Sequence, residues 1–161
     1  NAYFNRYKNI WHHGDYAEVK NNNGFVIYGR SDTTLNPGGV RLGTAEIYSE
    51  VERFIEIKES IVVGQSWDND VRIVLFIIMN KNYNISDSLL KKIKQQIRKN
   101  ASPRHVPGKI IVVRDIPRTK SGKIVELAVK NTIENNEIKN REALVNPEAL
   151  EEYKNLRELE Y

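Results

Sequence analysis

Cysteine is absent from this sequence, which excludes disulfides, cysteine nucleophiles and zinc sites built on thiolates, and suits a reducing compartment. Histidine is scarce as well. His12, His13 and His105 stand at no metal-ligand spacing, so no metal site is expected. No apolar run approaches the ~18 residues of a membrane span, and the longest, Ile73 to Met79, is strand-sized. The opening residues Asn1 to Ile10 have neither a basic start nor a continuous apolar stretch. Neither a signal peptide nor a membrane partner is therefore expected, and the expected location is cytoplasmic. Neither sign of charge dominates: Lys and Arg number 25 against 21 acids, a net +4, which points only weakly to anionic partners. What is present is globular in kind, with 161 residues, 40% of them hydrophobic and 29% charged.

The chain opens on a hairpin pattern. Tyr16 to Lys20 and Phe25 to Tyr28 flank Asn21-Asn22-Asn23-Gly24, where Asn23-Gly24 is expected to supply the positive φ values of a tight turn. A lone hairpin is marginal in water, so residues 1–31 read as the end of a larger preceding domain and the chain as part of something longer. Gly29 to Leu42 is a polar loop carrying Pro37, Gly38 and Gly39, and a boundary belongs there. Thr44 then caps a helix with Ile47, Val51, Phe54 and Ile55 on one face, ending near Lys58. Ser60 to Gly64 and Val71 to Met79 read as antiparallel strands, the second central because it is almost wholly apolar. Ser86 caps a second helix with Leu89, Leu90, Ile93 and Ile97 inward, stopped by Pro103. Lys109 to Val113 is a third strand. Ile124, Leu127 and Ala128, with Val125, Val129 and Ile133, form a third helix, and Asn146-Pro147 opens a short last one burying Leu150 and Tyr153. The expected class is α+β: a small three-stranded sheet flanked by helices, preceded by a β-hairpin, with a mobile domain over 32–135 and a helical extension over 136–161.

Two constellations carry chemistry. Leu35-Asn-Pro-Gly-Gly-Val-Arg-Leu-Gly43 has the glycine separation of a phosphate loop, but Thr44-Ala45 follows where Lys-Ser/Thr is required. It is either a connector that turns sharply or a bare backbone laid against a narrow ligand. Pro117-Arg-Thr-Lys-Ser-Gly-Lys123 is a basic turn entering a helix. A lysine held there can project a point charge onto a carboxylate or phosphate, although surface lysines are ordinarily just solvated. The basic run from Lys109 to Lys123 also leaves a stand-alone nucleic-acid binding module as an alternative, against which stands the lack of clustered aromatics for base stacking.

Four blocks, in order and at matching spacing, resemble the C-terminal part of the adenylate-forming enzymes, the superfamily of acyl-CoA synthetases, peptide-synthetase adenylation domains and luciferases. They are Trp11-His-His-Gly-Asp15, Tyr28-Gly-Arg-Ser-Asp32, Leu35 to Tyr48, and Pro117 to Lys123. Asn36-Pro-Gly-Gly-Val-Arg41 and the tail Lys139 to Leu150 resemble the members that activate acetoacetate; the same chemistry on another short carboxylic acid is the alternative.

The resemblance implies a two-step ligase that uses ATP with Mg2+ and then CoA, with a small C-terminal domain rotating between steps on a large N-terminal domain. It implies that Asp15 accepts from the ribose hydroxyls of ATP/AMP, that Arg30 donates to them, that Arg41 lies beside the nucleotide and that Asp32 is the hinge. It also implies that Lys123 is the adenylation lysine, open to a lysine acetyltransferase and deacetylase, and that Gly38 and Gly39 line the CoA tunnel. Arg98 stands where an arginine meets the CoA 3′-phosphate, and equally where any helix ends in a solvated cation. Thr33 and Val40 depart from the acetate enzymes, which carry an acid and a histidine there. No nucleic acid is implied, and this stretch alone is expected to be inactive.

Overall fold

The computed structural model describes residue 4, residues 7–138 and residues 140–161. Asn1, Ala2, Tyr3, Asn5 and Arg6, at the start of the 1–31 segment, and Lys139, which opens the tail block, lie outside the described residues.

Strands β1 (Asp15–Val19) and β2 (Phe25–Arg30) form the expected antiparallel hairpin, with an irregularity between Tyr16 and Ala17. Of the two turn residues, only Asn23 has positive φ, at 60°; Gly24 does not. The Lys20 N–H donates to the Gly24 carbonyl and the Asn23 N–H to the Lys20 carbonyl, so these bonds close the hairpin over the expected Asn21 to Gly24 stretch. The following loop is less free than its composition suggests. Leu35 and Leu42 bridge each other through both backbone amides and are buried, at 0% and 7% exposure.

Helix α1 (Thr44–Val51) starts one residue inside the expected cap: Gly43 is the N-cap, and its N–H donates to the Glu46 carboxylate. It ends at Val51, not near Lys58. The chain turns through Phe54, Ile55 is 71% exposed, and Ile57 enters the sheet. The i, i+3, i+4 apolar spacing runs across a helix end and a strand start, which periodicity cannot separate.

Strands β3 (Ile57–Trp67) and β4 (Asp70–Met79) pair antiparallel; β3 is longer than expected at both ends, whereas β4 starts one residue early and ends at Met79 as expected. Asp68 and Asn69, with φ of 49° and 59°, make the two-residue turn that suits the strands' twist. Helix α2 (Asp87–Asn100) carries its expected Ser86 cap, which accepts from the Leu89 N–H at 3.2 Å. Leu89, Ile93 and Ile97 are buried. Strand β5 (Lys109–Val112) pairs parallel with β4, giving the order β3-β4-β5 with β4 in the middle.

The central place of β4 explains its apolar run, since both faces are covered. Ile73, Leu75 and Ile77 pack with α1 and α2, whereas Val74, Phe76 and Ile78 pack with Val129 and Tyr153 on the other side. Helix α3 (Glu126–Ile133) is shorter than expected: Ile124 lies before it in a bridge with Arg118, and Leu127 is 42% exposed. A 3-10 helix, Pro147–Tyr153, buries Leu150 and Tyr153 as expected, and a shorter one, Arg157–Leu159, follows it. The Tyr153 hydroxyl donates to the Asp115 carbonyl at 2.8 Å, and burial pushes its phenol pKa up. No helix among the described residues is long and apolar enough to cross a membrane.

Candidate functional site

Four of the sequence-predicted residues meet where the hairpin joins the rest of the chain. Arg30, at the end of β2, donates from Nη1 to the His13 carbonyl at 3.0 Å and lies 3.5 Å from Asp15 Oδ1. Its Nε is 3.4 Å from Asp32 Oδ1. Asp15 Oδ2 is also 2.5 Å from His13 Nδ1. The guanidinium lies against Gly14, where a Cβ would stand 2.6 Å from the movable Nη2; it is the φ of 93° that calls for glycine. Arg41 reaches back from the loop, with its guanidinium 5.0 Å above the Tyr16 ring and Nη2 3.5 Å from the Ser31 carbonyl. These charges are half exposed, so the pairs add little stability. Chemically, the cluster holds the Asp15 and Asp32 carboxylates against the Arg30 guanidinium, with Arg41 on the neighbouring loop, the donors and acceptors that a polyhydroxyl or phosphate ligand exchanges for.

The glycine loop lies elsewhere. Pro37–Gly39 form a 3-10 turn with Gly38 and Gly39 at φ 59° and 73°. The Gly38 N–H donates to both oxygens of Asp70, at 2.8 and 3.0 Å, on the first residue of β4. The N–H groups of Val71 and Gly38 hold the Asp70 carboxyl below the usual carboxylate range. Gly39 faces open space. The Arg104 guanidinium lies against Gly38, 3.3 Å from where its Cβ would be. Arg98 is exposed in the last turn of α2, and no hydrogen bond or ion pair joins it to another predicted residue among those described.

Lys123 sits on a small pinned loop. The Thr119 N–H donates to the Lys123 carbonyl at 2.8 Å, and the Lys123 N–H to Thr119 Oγ1 at 3.1 Å. Arg118 clamps the loop: its Nη1 donates to the Gly122 carbonyl at 3.0 Å, its Nη2 pairs with Glu59 on β3, and its N–H donates to Asn146 Oδ1 at 2.8 Å. The Lys123 side chain is exposed, and no hydrogen bond or ion pair to its ammonium is found among the described residues. A fixed backbone therefore presents a free cation.

Sequence reading missed the residues that hold these loops, namely Glu59, Asp70, Asn146 and Glu126. Glu126, in the first turn of α3, accepts from the Tyr48 hydroxyl at 2.6 Å and from the Thr33 hydroxyl at 2.5 Å. Burial, and then the Glu126 carboxylate, raise the Tyr48 phenol pKa well above its ordinary value, so Tyr48 stays a donor. The signal available was only an acid in a helix's first turn, which ordinarily reads as a favourable dipole contact.

The lysine loop and the glycine loop are anchored at opposite ends of the β3–β4 hairpin. Glu59 pairs across from Ile78, and Trp67 pairs across from Asp70. At about 3.3 Å per residue, the two anchor rows lie about 25 Å apart along the strands. The predicted residues therefore form three groups: the hinge cluster, the glycine loop and the lysine loop.

Comparison with known proteins gives a consistent answer. Residues 46–123 match the family model described as the AMP-binding enzyme C-terminal domain. The acetoacetyl-coenzyme A synthetase of Rhizobium meliloti (strain 1021) is 56% identical over 158 residues, covering 98% of this chain and 24% of the relative. The acetoacetyl-CoA synthetase of Xenopus tropicalis is 47% identical over 161 residues, covering 99% and 24%. The solved acetoacetyl-CoA synthetase from Streptomyces lividans superposes with a TM-score of 0.85 at 39% identity, over 95% of this chain and 23% of that one. The chain thus spans about a quarter of the length of the relatives it matches.

Proposed function

Because residues 46–123 match the AMP-binding enzyme C-terminal domain, and acetoacetyl-CoA synthetases are similar to nearly the whole of this chain, we propose that its protein is an ATP-dependent acetoacetate–CoA ligase in which these residues form a moving lid over a larger nucleotide-binding domain. In the first step an acetoacetate carboxylate oxygen bonds to the α-phosphorus of ATP and pyrophosphate leaves with the cleaved P–O pair. In the second step the thiol sulfur of CoA bonds to the acyl carbon and AMP leaves.

The free ammonium of Lys123 sits between the carboxylate and the α-phosphate in the first step, where negative charge gathers, and stabilises it electrostatically. Asp15 accepts from the ribose hydroxyls, Arg30 donates to them, and Arg41 stays beside the nucleotide. Asp32 is the pivot. In the second step Gly38 and Gly39 line the path of the CoA arm, where a side chain would obstruct it, and Arg98 meets a CoA phosphate. Magnesium enters as part of the ATP substrate, bound to its phosphates. ATP and CoA chemistry suits a cytoplasmic setting. The exposed Lys123 is open to acetylation and deacetylation, which would remove and restore its charge.

One observation carries this reading. The anchors of the lysine loop and the glycine loop lie about 25 Å apart along one sheet, which supports a domain that turns between steps to bring each loop in turn to a single cleft. The test is ATP–pyrophosphate exchange by the complete protein with acetoacetate. Lys123→Ala is expected to lower exchange by at least about a hundredfold. Exchange at the wild-type rate would contradict the assignment.

A further inference from the structure

We propose that Glu126 is a positioning residue that fastens the Lys123 loop to the domain side of the hinge, so that rotation at Asp32 delivers the ammonium with a fixed reach. This rests on the roles given above to Lys123 and Asp32.

Both oxygens of the Glu126 carboxylate are committed. Oε2 accepts from Thr33, the residue immediately after the hinge, and Oε1 accepts from Tyr48 on α1. The Tyr48 oxygen in turn accepts the Val62 N–H of β3 at 3.0 Å. One side chain therefore joins the exit of the hinge, a helix and the sheet. On the other side of the pivot, Ser31 is fastened to the hairpin, since its N–H donates to the Gly14 carbonyl at 2.8 Å. Asp32 stands between a residue tied to the hairpin and a residue tied to the domain.

Weaker contacts cross this pivot, among them the Thr33 N–H, which donates to the Arg30 carbonyl at 3.4 Å, and the Arg41 guanidinium over the Tyr16 ring. The Thr34 hydroxyl donates to the Ser31 carbonyl at 3.3 Å, and Arg41 Nη2 reaches the same oxygen at 3.5 Å. They are longer than the Thr33–Glu126 bond and are the ones rotation would break first.

Glu126 is three residues beyond Lys123, so it fixes the loop's exit while the Arg118–Glu59 clamp fixes its entry. The loop is closed on itself by the Thr119–Lys123 bonds and by the Val125 N–H, which donates to the Pro117 carbonyl at 3.1 Å, so Glu126 sets where this closed unit stands relative to the hinge. If the exit is released, the ammonium loses its defined distance from the hinge, and displacements near 1 Å cost catalysis up to about a hundredfold. The threonine at position 33 follows from the same geometry: it must donate, because an acid there would face the Glu126 carboxylate.

The experiment measures both half-reactions and thermal stability in the complete protein. Thr33→Val cuts only the arm to the hinge. It is expected to lower the rate constant for adenylation about tenfold while leaving the KM for ATP and thioester formation from supplied acetoacetyl-adenylate within about twofold. The thermal midpoint should stay near that of the wild type. Glu126→Ala should lose at least as much adenylation, adding Thr33→Val to it should cost nothing further, and Glu126→Gln, which keeps one acceptor, should recover part of the rate. Wild-type adenylation in Thr33→Val, or an equal loss in both half-reactions, would overturn the proposal. Lys123→Ala serves as the control. If it abolishes exchange while Thr33→Val keeps the wild-type rate, only the anchor fails; if it leaves exchange intact, the lysine assignment fails first.

Discussion

Glu59 and Asp70 are surface acids of modest exposure and ordinary sequence context, yet each closes a loop that carries a proposed function. Their energetic share is small, because exposed pairs are screened; what they supply is geometry. Asp70 offers a pH test. Its folded carboxyl is held below the ordinary value by the Gly38 and Val71 amides, so the anchor is fully present above about pH 4 and is lost as pH falls through the lower, folded value. The Gly38 amide chemical shift, followed by NMR from neutral pH downward, should titrate with a midpoint below about 3.9. It should become insensitive in Asp70→Asn; a midpoint at or above the ordinary value would refute the anchor. Glu59→Gln takes the charge from the Arg118 clamp. Faster hydrogen exchange at the Lys123 amide is then expected, while exchange in β4 stays unchanged. Equal rates in the two proteins would show that the clamp is not what holds the loop.

Elements with local signals were the most legible in the sequence. Ser86 announced α2, and its truncation to alanine should lower stability by about 1 kcal/mol, read as a shift in the urea midpoint with m unchanged. The apolar run of β4 announced a central strand, because only a strand covered on both faces can be apolar throughout. The end of α1 was illegible: Phe54 and Ile55 continue the helical spacing while the chain leaves the helix, and the strand that begins at Ile57 alternates too weakly to be seen. The candidate site divided the same way. Lys123, Asp15, Arg30 and the glycines stood out as motifs, but their supports did not. Thr33 and Glu126 are 93 residues apart, and Arg118 and Glu59 are 59 apart, so their meeting depends on the fold and leaves no trace in a local pattern. The hairpin adds one further exposed feature. Val19, Phe25 and Ile27 are 62%, 73% and 54% exposed, and Val19 pairs across from Phe25. A hydrophobic face of this size on two strands fits cover by another part of the protein.

For the molecule as a whole, one three-stranded sheet carries the anchors of the glycine loop and the lysine loop at opposite ends. Under the proposed function, with its pivot at Asp32, this arrangement makes the two chemical steps mutually exclusive in time and lets a single cleft run both. The most direct test is a crossed comparison of two variants of the complete protein, each assayed for acetoacetyl-adenylate formation and for thioester formation from supplied adenylate. Lys123→Ala should lose only the first activity. Gly39→Trp, which fills the open space at the other end of the sheet, should lose only the second. If the two variants damage both activities in the same proportion, the division of labour between the ends of the sheet is wrong.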